Sequence, residues 1–184
     1  MSGPRAPADR VVLCVFDGLR PDVVTPEHMP NLTRFAPQGT WFREARSVFP
    51  SMTRVTTTAI ATGAHPRVQG IVGNAFYFPQ ATRSHVVDLG RWDDIGLAVR
   101  VTGGRFVTAE PMGDVLAQAG RRMAVVHTGS AGATPEAVDD VVGRFGPLPP
   151  RHLPRFEESD YAVRVFREHV LETLEPDVAL IWFN

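Results

Sequence analysis

Apolar residues in this chain gather into three short runs, separated by stretches with a helical rhythm. "RVVLCVF" (10–16), "RRMAVVHTG" (121–129) and "DVALIWFN" (177–184) show no polar alternation, which is the pattern of strands covered on both faces in a parallel sheet. In "TPEHMPNLTRFAPQG" (25–39), Met29, Leu32, Phe35 and Ala36 recur at helical spacing between a Thr-Pro start and a Pro-Gly end, predicting a short helix. In "PSMTRVTTTAIATG" (50–63) a helix is predicted from Thr53 to Ala61, closed by Gly63. "EPMGDVLAQAG" (110–120) and "TPEAVDDVVGRF" (134–145) supply two more. "ESDYAVRVFREHVLETLEP" (158–176) predicts a long amphipathic helix, with Tyr161, Val165, His169 and Glu172 stepping round it and Pro176 at its end. "TWFREARSVF" (40–49) alternates imperfectly and reads as a strand. Residues 74–107 read as an excursion of short strands and ordered loop, and 146–154 as a Pro-rich linker. Apolar strands alternating with helices define an α/β fold: a doubly wound, mainly parallel sheet with helices on both faces.

Composition narrows the function classes. A chain of 184 residues, 43% hydrophobic, can bury a core within one domain. Its 19 basic and 20 acidic residues leave a net charge of -1, so neither nucleic acid nor an anionic membrane has a global electrostatic claim on it. Any anion site has to be local. Cys14 is the only cysteine and lies inside an apolar run, which reads as a buried thiol and excludes an intrachain disulfide. The first nine residues carry no apolar signal segment and are expected to be a disordered tail. No run reaches the roughly 20 apolar residues of a membrane span, and the expected location is the cytoplasm. The chain stops on a hydrophobic strand, from which a domain truncated at its C-terminus is expected.

Two residues stand out for chemistry. Asp17 follows the first strand directly, and loops beyond the carboxyl ends of strands are where open parallel sheets place their ligands. A carboxylate there suits a metal ion; the competing reading is a simple Asp-Gly turn. Thr53 falls at the N-terminus of a helix, where unpaired backbone N–H groups and the helix dipole favour an anion. It could serve as a nucleophile once something lowers its pKa, while Ser51 or Thr53 as an ordinary helix cap is the plainer alternative. The histidines, His127 among them, are scattered without metal-binding spacing and read as surface or core residues. "HTGSAGAT" (127–134) reads as a tight strand-to-helix crossover, since it lacks both dinucleotide and Walker patterns.

Taken together, "VVLCVFDGLRPD", "MPNL", "PSMT", "ATG" and "HPRVQGIVGN" resemble, in order, the N-terminal part of the type I phosphodiesterase and nucleotide pyrophosphatase family of the alkaline phosphatase superfamily. The resemblance implies an alkaline phosphatase-like α/β domain, of which residues 1–184 are the N-terminal portion. It further implies hydrolysis of phosphate diesters or nucleotide pyrophosphates at a site of two divalent metal ions, commonly zinc. Asp17 would be a metal ligand, and Thr53 the nucleophile and also a metal ligand. Thr56 occupies the position where the family carries an asparagine that donates to a phosphoryl oxygen, so a substrate-binding role falls to Thr56. The family's remaining ligands, an Asp-x-x-x-His motif, an Asp-His pair and a further His, lie beyond this stretch. The expected partner is a small phosphate ester or nucleotide; the alternative is a catalytically incomplete fragment or a non-enzymatic phosphate-binding module.

Overall fold

The computed structural model describes residues 8–128, 135–150 and 152–183. In chain order, β1 (Val11–Phe16) leads to α1 (Pro30–Phe35), α2 (Thr53–Thr62) and the short α3 (Pro66–Gln69). A small hairpin of β2 (Ala75–Phe76) and β3 (Val87–Asp88) follows, then α4 (Trp92–Val101), α5 (Met112–Gln118), β4 (Met123–His127), α6 (Pro135–Phe145), α7 (Phe156–Val165) and β5 (Val178–Phe183). The three apolar runs form one parallel sheet in the order β1-β5-β4, the α/β architecture the sequence pattern predicts. Most of the expected tail, and the Gly-rich crossover from 129 to 134, lie outside the described residues.

The last strand in sequence is the middle strand in space, which explains how unequally the three runs are covered. Val178, Leu180 and Trp182 are buried on one face of β5, and Ala179 and Ile181 on the other. The flanking strands were expected to be equally enclosed, but Val11, Val12 and Phe16 of β1 are 42–45% exposed and Val125 of β4 is 59% exposed. Cys14 is likewise exposed rather than buried. An unbroken apolar run therefore marks a parallel strand here without guaranteeing a layer on each side. Asp177 clamps the start of the sheet, accepting hydrogen bonds from the Arg122 backbone N–H at 2.8 Å and the Arg121 guanidinium at 2.7 Å.

The segment 40–49 forms no strand. Arg43, Glu44 and Arg46 interrupt its alternation, and Trp41, Phe42 and Phe49 are left exposed. Part of the 74–107 excursion is helical: α4 has Asp93 and Asp94 in its first turn, Gly103 just past its end, and packs Ile95 and Ala98 inward. Gly96 breaks the visual rhythm of this stretch. The long predicted helix forms, but after α7 it continues as nine residues of π-helix, Phe166–Leu174, which the sequence pattern does not explain. No helix among the described residues is long and apolar enough to cross a membrane.

Among the described residues, the apolar interior falls into two clusters. One joins Phe166 and Val170 of the π-helical segment to Ala179 and Ile181 of β5, with Ala124 and Val126 of β4 against it. The other gathers Val55 of α2, Ile71, Val87, Leu89 and Ala98, with the rings of Phe76, Phe78 and Phe106 in mutual contact at 5.6–6.4 Å around it. This second cluster seats α2 on the excursion, and so fixes where the helix start points.

Asp94 ties the excursion together. It is buried, accepts the Asp88 backbone N–H at 3.0 Å, and meets His85 Nε2 at 3.1 Å. The Asp88 N–H first, and then His85, hold its carboxyl below the ordinary value of 3.8. A depressed folded-state pKa stabilises the fold above the unfolded value and loses that contribution as pH falls toward the folded one. Acid unfolding of Asp94→Asn, followed by circular dichroism from pH 5 downward, is therefore expected to show a shallower pH dependence than the unmodified chain. An unchanged acid limb would refute this role.

Candidate active site

β1 ends in a tight turn in which the Leu19 N–H donates to the Phe16 carbonyl at 3.3 Å and Gly18 adopts a φ of 75°, a conformation open mainly to glycine. The Asp-Gly pair is thus a turn, but one that releases the chain from a parallel strand instead of joining neighbours. The Asp17 N–H donates to the Phe183 carbonyl at 2.9 Å, holding the residue over the carboxyl end of β5.

Thr53 arrives from the other side as the first residue of α2. Its Oγ1 donates to Asp17 Oδ2 at 3.2 Å, joining positions 36 residues apart in sequence. The other threonine hydroxyls of α2 are otherwise engaged. Thr57, Thr58 and Thr62 donate to carbonyls one turn back in their own helix, at 2.6–2.7 Å. Thr56 Oγ1 lies 2.8 Å from Ser47 Oγ, and no hydrogen bond links Thr56 to the Thr53–Asp17 pair among the described residues. Neither serine nor threonine caps the helix through its side chain.

The capping role falls to a residue that the sequence reading passed over. Asn74, at the end of "GIVGN", reaches back 20 residues so that its Oδ1 accepts the Arg54 backbone N–H at 3.0 Å. That bond satisfies a first-turn amide and fixes the helix start beside Asp17. Its signal was present in the quoted motif, but the distance in sequence hid the partner.

His127 closes β4 in register with Trp182, their rings stacked at 6.1 Å and 6°. Burial chiefly, then the nearby Arg54 cation, lower the imidazole pKa from 6.5, against the opposing pull of the Asp17 carboxylate. Arg54 and Asp17 therefore both act on the charge of His127, which is exposed at the end of β4, one of the two placements its sequence context predicts.

Two oxygens 3.2 Å apart are spaced as neighbouring ligands of one cation with bonds of about 2 Å would be. The donors fit one side of a cation site and no more: among the described residues, no group of three or more His, Cys, Asp or Glu side chains could hold a metal ion.

The structure thus pairs a hydroxyl at a helix start with a carboxylate at a strand end. The chain belongs to the type I phosphodiesterase / nucleotide pyrophosphatase family, whose model matches residues 11–182. It is 35% identical over 68 residues to a bis(5'-adenosyl)-triphosphatase, enpp4, of Xenopus laevis, covering 37% of this chain and 15% of that protein. The mouse protein of the same name is 32% identical over 78 residues, covering 42% and 17%. Among solved structures, phosphonoacetate hydrolase from Sinorhizobium meliloti in complex with phosphonoformate superimposes with a TM-score of 0.68 at 23% identity. That match takes in 94% of this chain and 45% of the hydrolase, so the shared fold is a partial one.

Proposed function

We propose that Thr53 is the nucleophile of a phosphodiester or nucleotide-pyrophosphate hydrolase, with Asp17 as its orienting partner and as a ligand of a divalent cation, zinc being the first to test. The observation that carries this reading is the 3.2 Å contact between Thr53 Oγ1 and Asp17 Oδ2 at a helix start. Asp17 accepts the hydroxyl hydrogen and so aims an oxygen lone pair outward. The first turn of α2, held by Asn74, presents its positive end to a phosphoryl group. Thr53 Oγ then forms a bond to phosphorus while its proton passes to Asp17 and the P–O bond to the ester group breaks, that oxygen leaving as an alkoxide or aryloxide; water then cleaves the phosphothreonine P–O bond, releasing the phosphate product and returning the Thr53 hydroxyl. A bound cation would supply the lowered hydroxyl pKa and charge neutralisation. Thr56 keeps its substrate role on family position alone, and would have to release Ser47 to fill it.

The test is direct. In the protein carrying this segment, incubation with a bis-aryl phosphodiester and zinc, followed by acid quench and mass spectrometry, should show phosphate on Thr53. Asp17→Asn should weaken zinc binding by at least about tenfold in a calorimetric titration, as expected when one of a few ligands is lost. Phosphate on another residue, or a zinc isotherm unchanged by Asp17→Asn, would contradict the assignment.

A second reading, a phosphate-binding module without turnover, draws on the two-member donor set among the described residues. It calls for phosphate binding by the 184-residue chain with no release of aryl alcohol at any zinc concentration.

A further inference from the structure

The approach to β3 carries a run of hydrogen bonds that the Thr53–Asp17 pair does not use. Ser84 Oγ lies 2.9 Å from His85 Nδ1, and His85 Nε2 lies 3.1 Å from Asp94 Oδ1. Ser84 Oγ is also 2.9 Å from Thr82 Oγ1. With the imidazole neutral, the donor inventory fixes the direction of each bond. The ionised Asp94 carboxylate only accepts, so Nε2 carries the ring proton and Nδ1 keeps a lone pair. The Ser84 hydroxyl then donates to Nδ1, which leaves its oxygen to accept from the Thr82 hydroxyl. The far end of this relay is rigid and the near end open. Asp94 is 5% exposed, its Oδ2 accepts the Asp88 N–H at 3.0 Å, and Val87, Ile95 and Ala98 of β3 and α4 pack into the second apolar cluster. Ser84 is exposed, and so is half of the His85 side chain. Fold stability accounts for the buried carboxylate tied to Asp88 and His85. It does not call for a hydroxyl on the other imidazole nitrogen, where water would serve.

We infer that Ser84 is an acyl-accepting nucleophile on a Ser84–His85–Asp94 relay, with small activated carboxylic esters as its substrate class. No hydrogen bond joins this relay to the Thr53–Asp17 pair among the described residues, and its chemistry does not rest on theirs. A serine, an imidazole and a carboxylate in series form a constellation defined by geometry and roles, not by fold. Ser84 Oγ bonds to the carbonyl carbon while its proton passes to His85 Nδ1, and Asp94 holds the resulting imidazolium through Nε2–H. The C–O bond to the leaving group then breaks, and the departing oxygen takes the proton from Nδ1. Water releases the acyl group by the same path. His85 removes the water proton, the hydroxide oxygen bonds to the carbonyl carbon, and Ser84 Oγ leaves it and recovers the proton as the carboxylic acid departs. A neutral ester suits the relay better than a phosphate ester, because the charge its three members carry is the Asp94 anion. Asp94 acts through His85 as a positioning residue.

The chain contains no lysine, so the commonest background acyl acceptor is absent from a labelling experiment. In a Cys14→Ala background, which removes the exposed thiol, para-nitrophenyl acetate at about pH 8 should place an acetyl group on Ser84 ahead of every other hydroxyl, as located by peptide mass spectrometry. His85→Gln keeps an amide that can donate to Asp94. It should lower the acetylation rate of Ser84 by at least about a hundredfold, the usual share of a general base, with an unchanged circular dichroism spectrum. Added imidazole should restore part of that rate. In nitrogen-15 spectra of the neutral ring, His85 should be protonated at Nε2 and bare at Nδ1, and Asp94→Asn should redistribute the proton between the two nitrogens. Acetyl groups spread evenly over the serines and threonines, a His85→Gln rate within about threefold of the parent, or a neutral ring protonated at Nδ1 would each overturn the relay.

Discussion

Thr53→Ala is expected to lower phosphodiester hydrolysis by the protein carrying this segment by about four orders of magnitude or more, the scale on which removal of an enzymatic nucleophile acts. The other threonine hydroxyls of α2 are already committed. Thr57, Thr58 and Thr62 are bonded to their own helix, and Thr56 to Ser47. Folding should barely register the change. The lost contact is one hydrogen bond in an exposed setting, worth about 1 kcal/mol at most, and alanine is well tolerated in a helix. Thr53→Ser separates chemistry from packing, because it restores the hydroxyl without the methyl group, and it should recover all but about tenfold to a hundredfold of the rate. Parallel measurement of kcat and melting temperature for the two variants decides the matter. Alanine activity within about a hundredfold of the unmodified protein would mean that water, or another residue, attacks phosphorus.

The sheet and the placement of Asp17 and Thr53 at element ends were legible because each rests on a local signal, whereas their meeting at one site was implied by the family resemblance. Parallel strands announce themselves as apolar runs, Asp17 directly follows β1, and Thr53 opens α2. What was hidden depends on contacts distant in sequence. Asn74 caps a helix start 20 residues behind it, and Trp182 and His127 meet only because β5 enters between β1 and β4. Helix α4 was missed for a different reason: Gly96 and the flanking aromatic segments mask a helical face whose inward residues are few. The strand expected at 40–49 failed because β propensity requires a neighbour to pair with, and none is present among the described residues.

Gln69→Leu should be the most damaging single substitution for stability among those considered, with an expected loss of about 3 kcal/mol. Gln69 is fully buried, and its amide serves three backbone groups. Its Oε1 accepts the Ile71 N–H at 2.7 Å, while Nε2 donates to the Ile71 carbonyl at 3.2 Å and, more loosely, to the Val55 carbonyl at 3.5 Å. Leucine has a similar size, so the effect would come from polarity: it strands the Ile71 N–H and C=O in a site closed to water, at about 1–3 kcal/mol for each group left unpaired. For a chain of this length, 3 kcal/mol corresponds to a fall of roughly 6–12 °C in melting temperature. The same amide links Val55 of α2 to the strand of chain that leads into Asn74, so the leucine variant should also loosen the cap on Arg54. Hydrogen exchange at the Arg54 amide is then expected to accelerate more than exchange in β5, which belongs to the other cluster. A leucine variant that melts within about 2 °C of the unmodified chain, or one whose β5 amides lose protection first, would show that this buried amide does not hold the helix start in place.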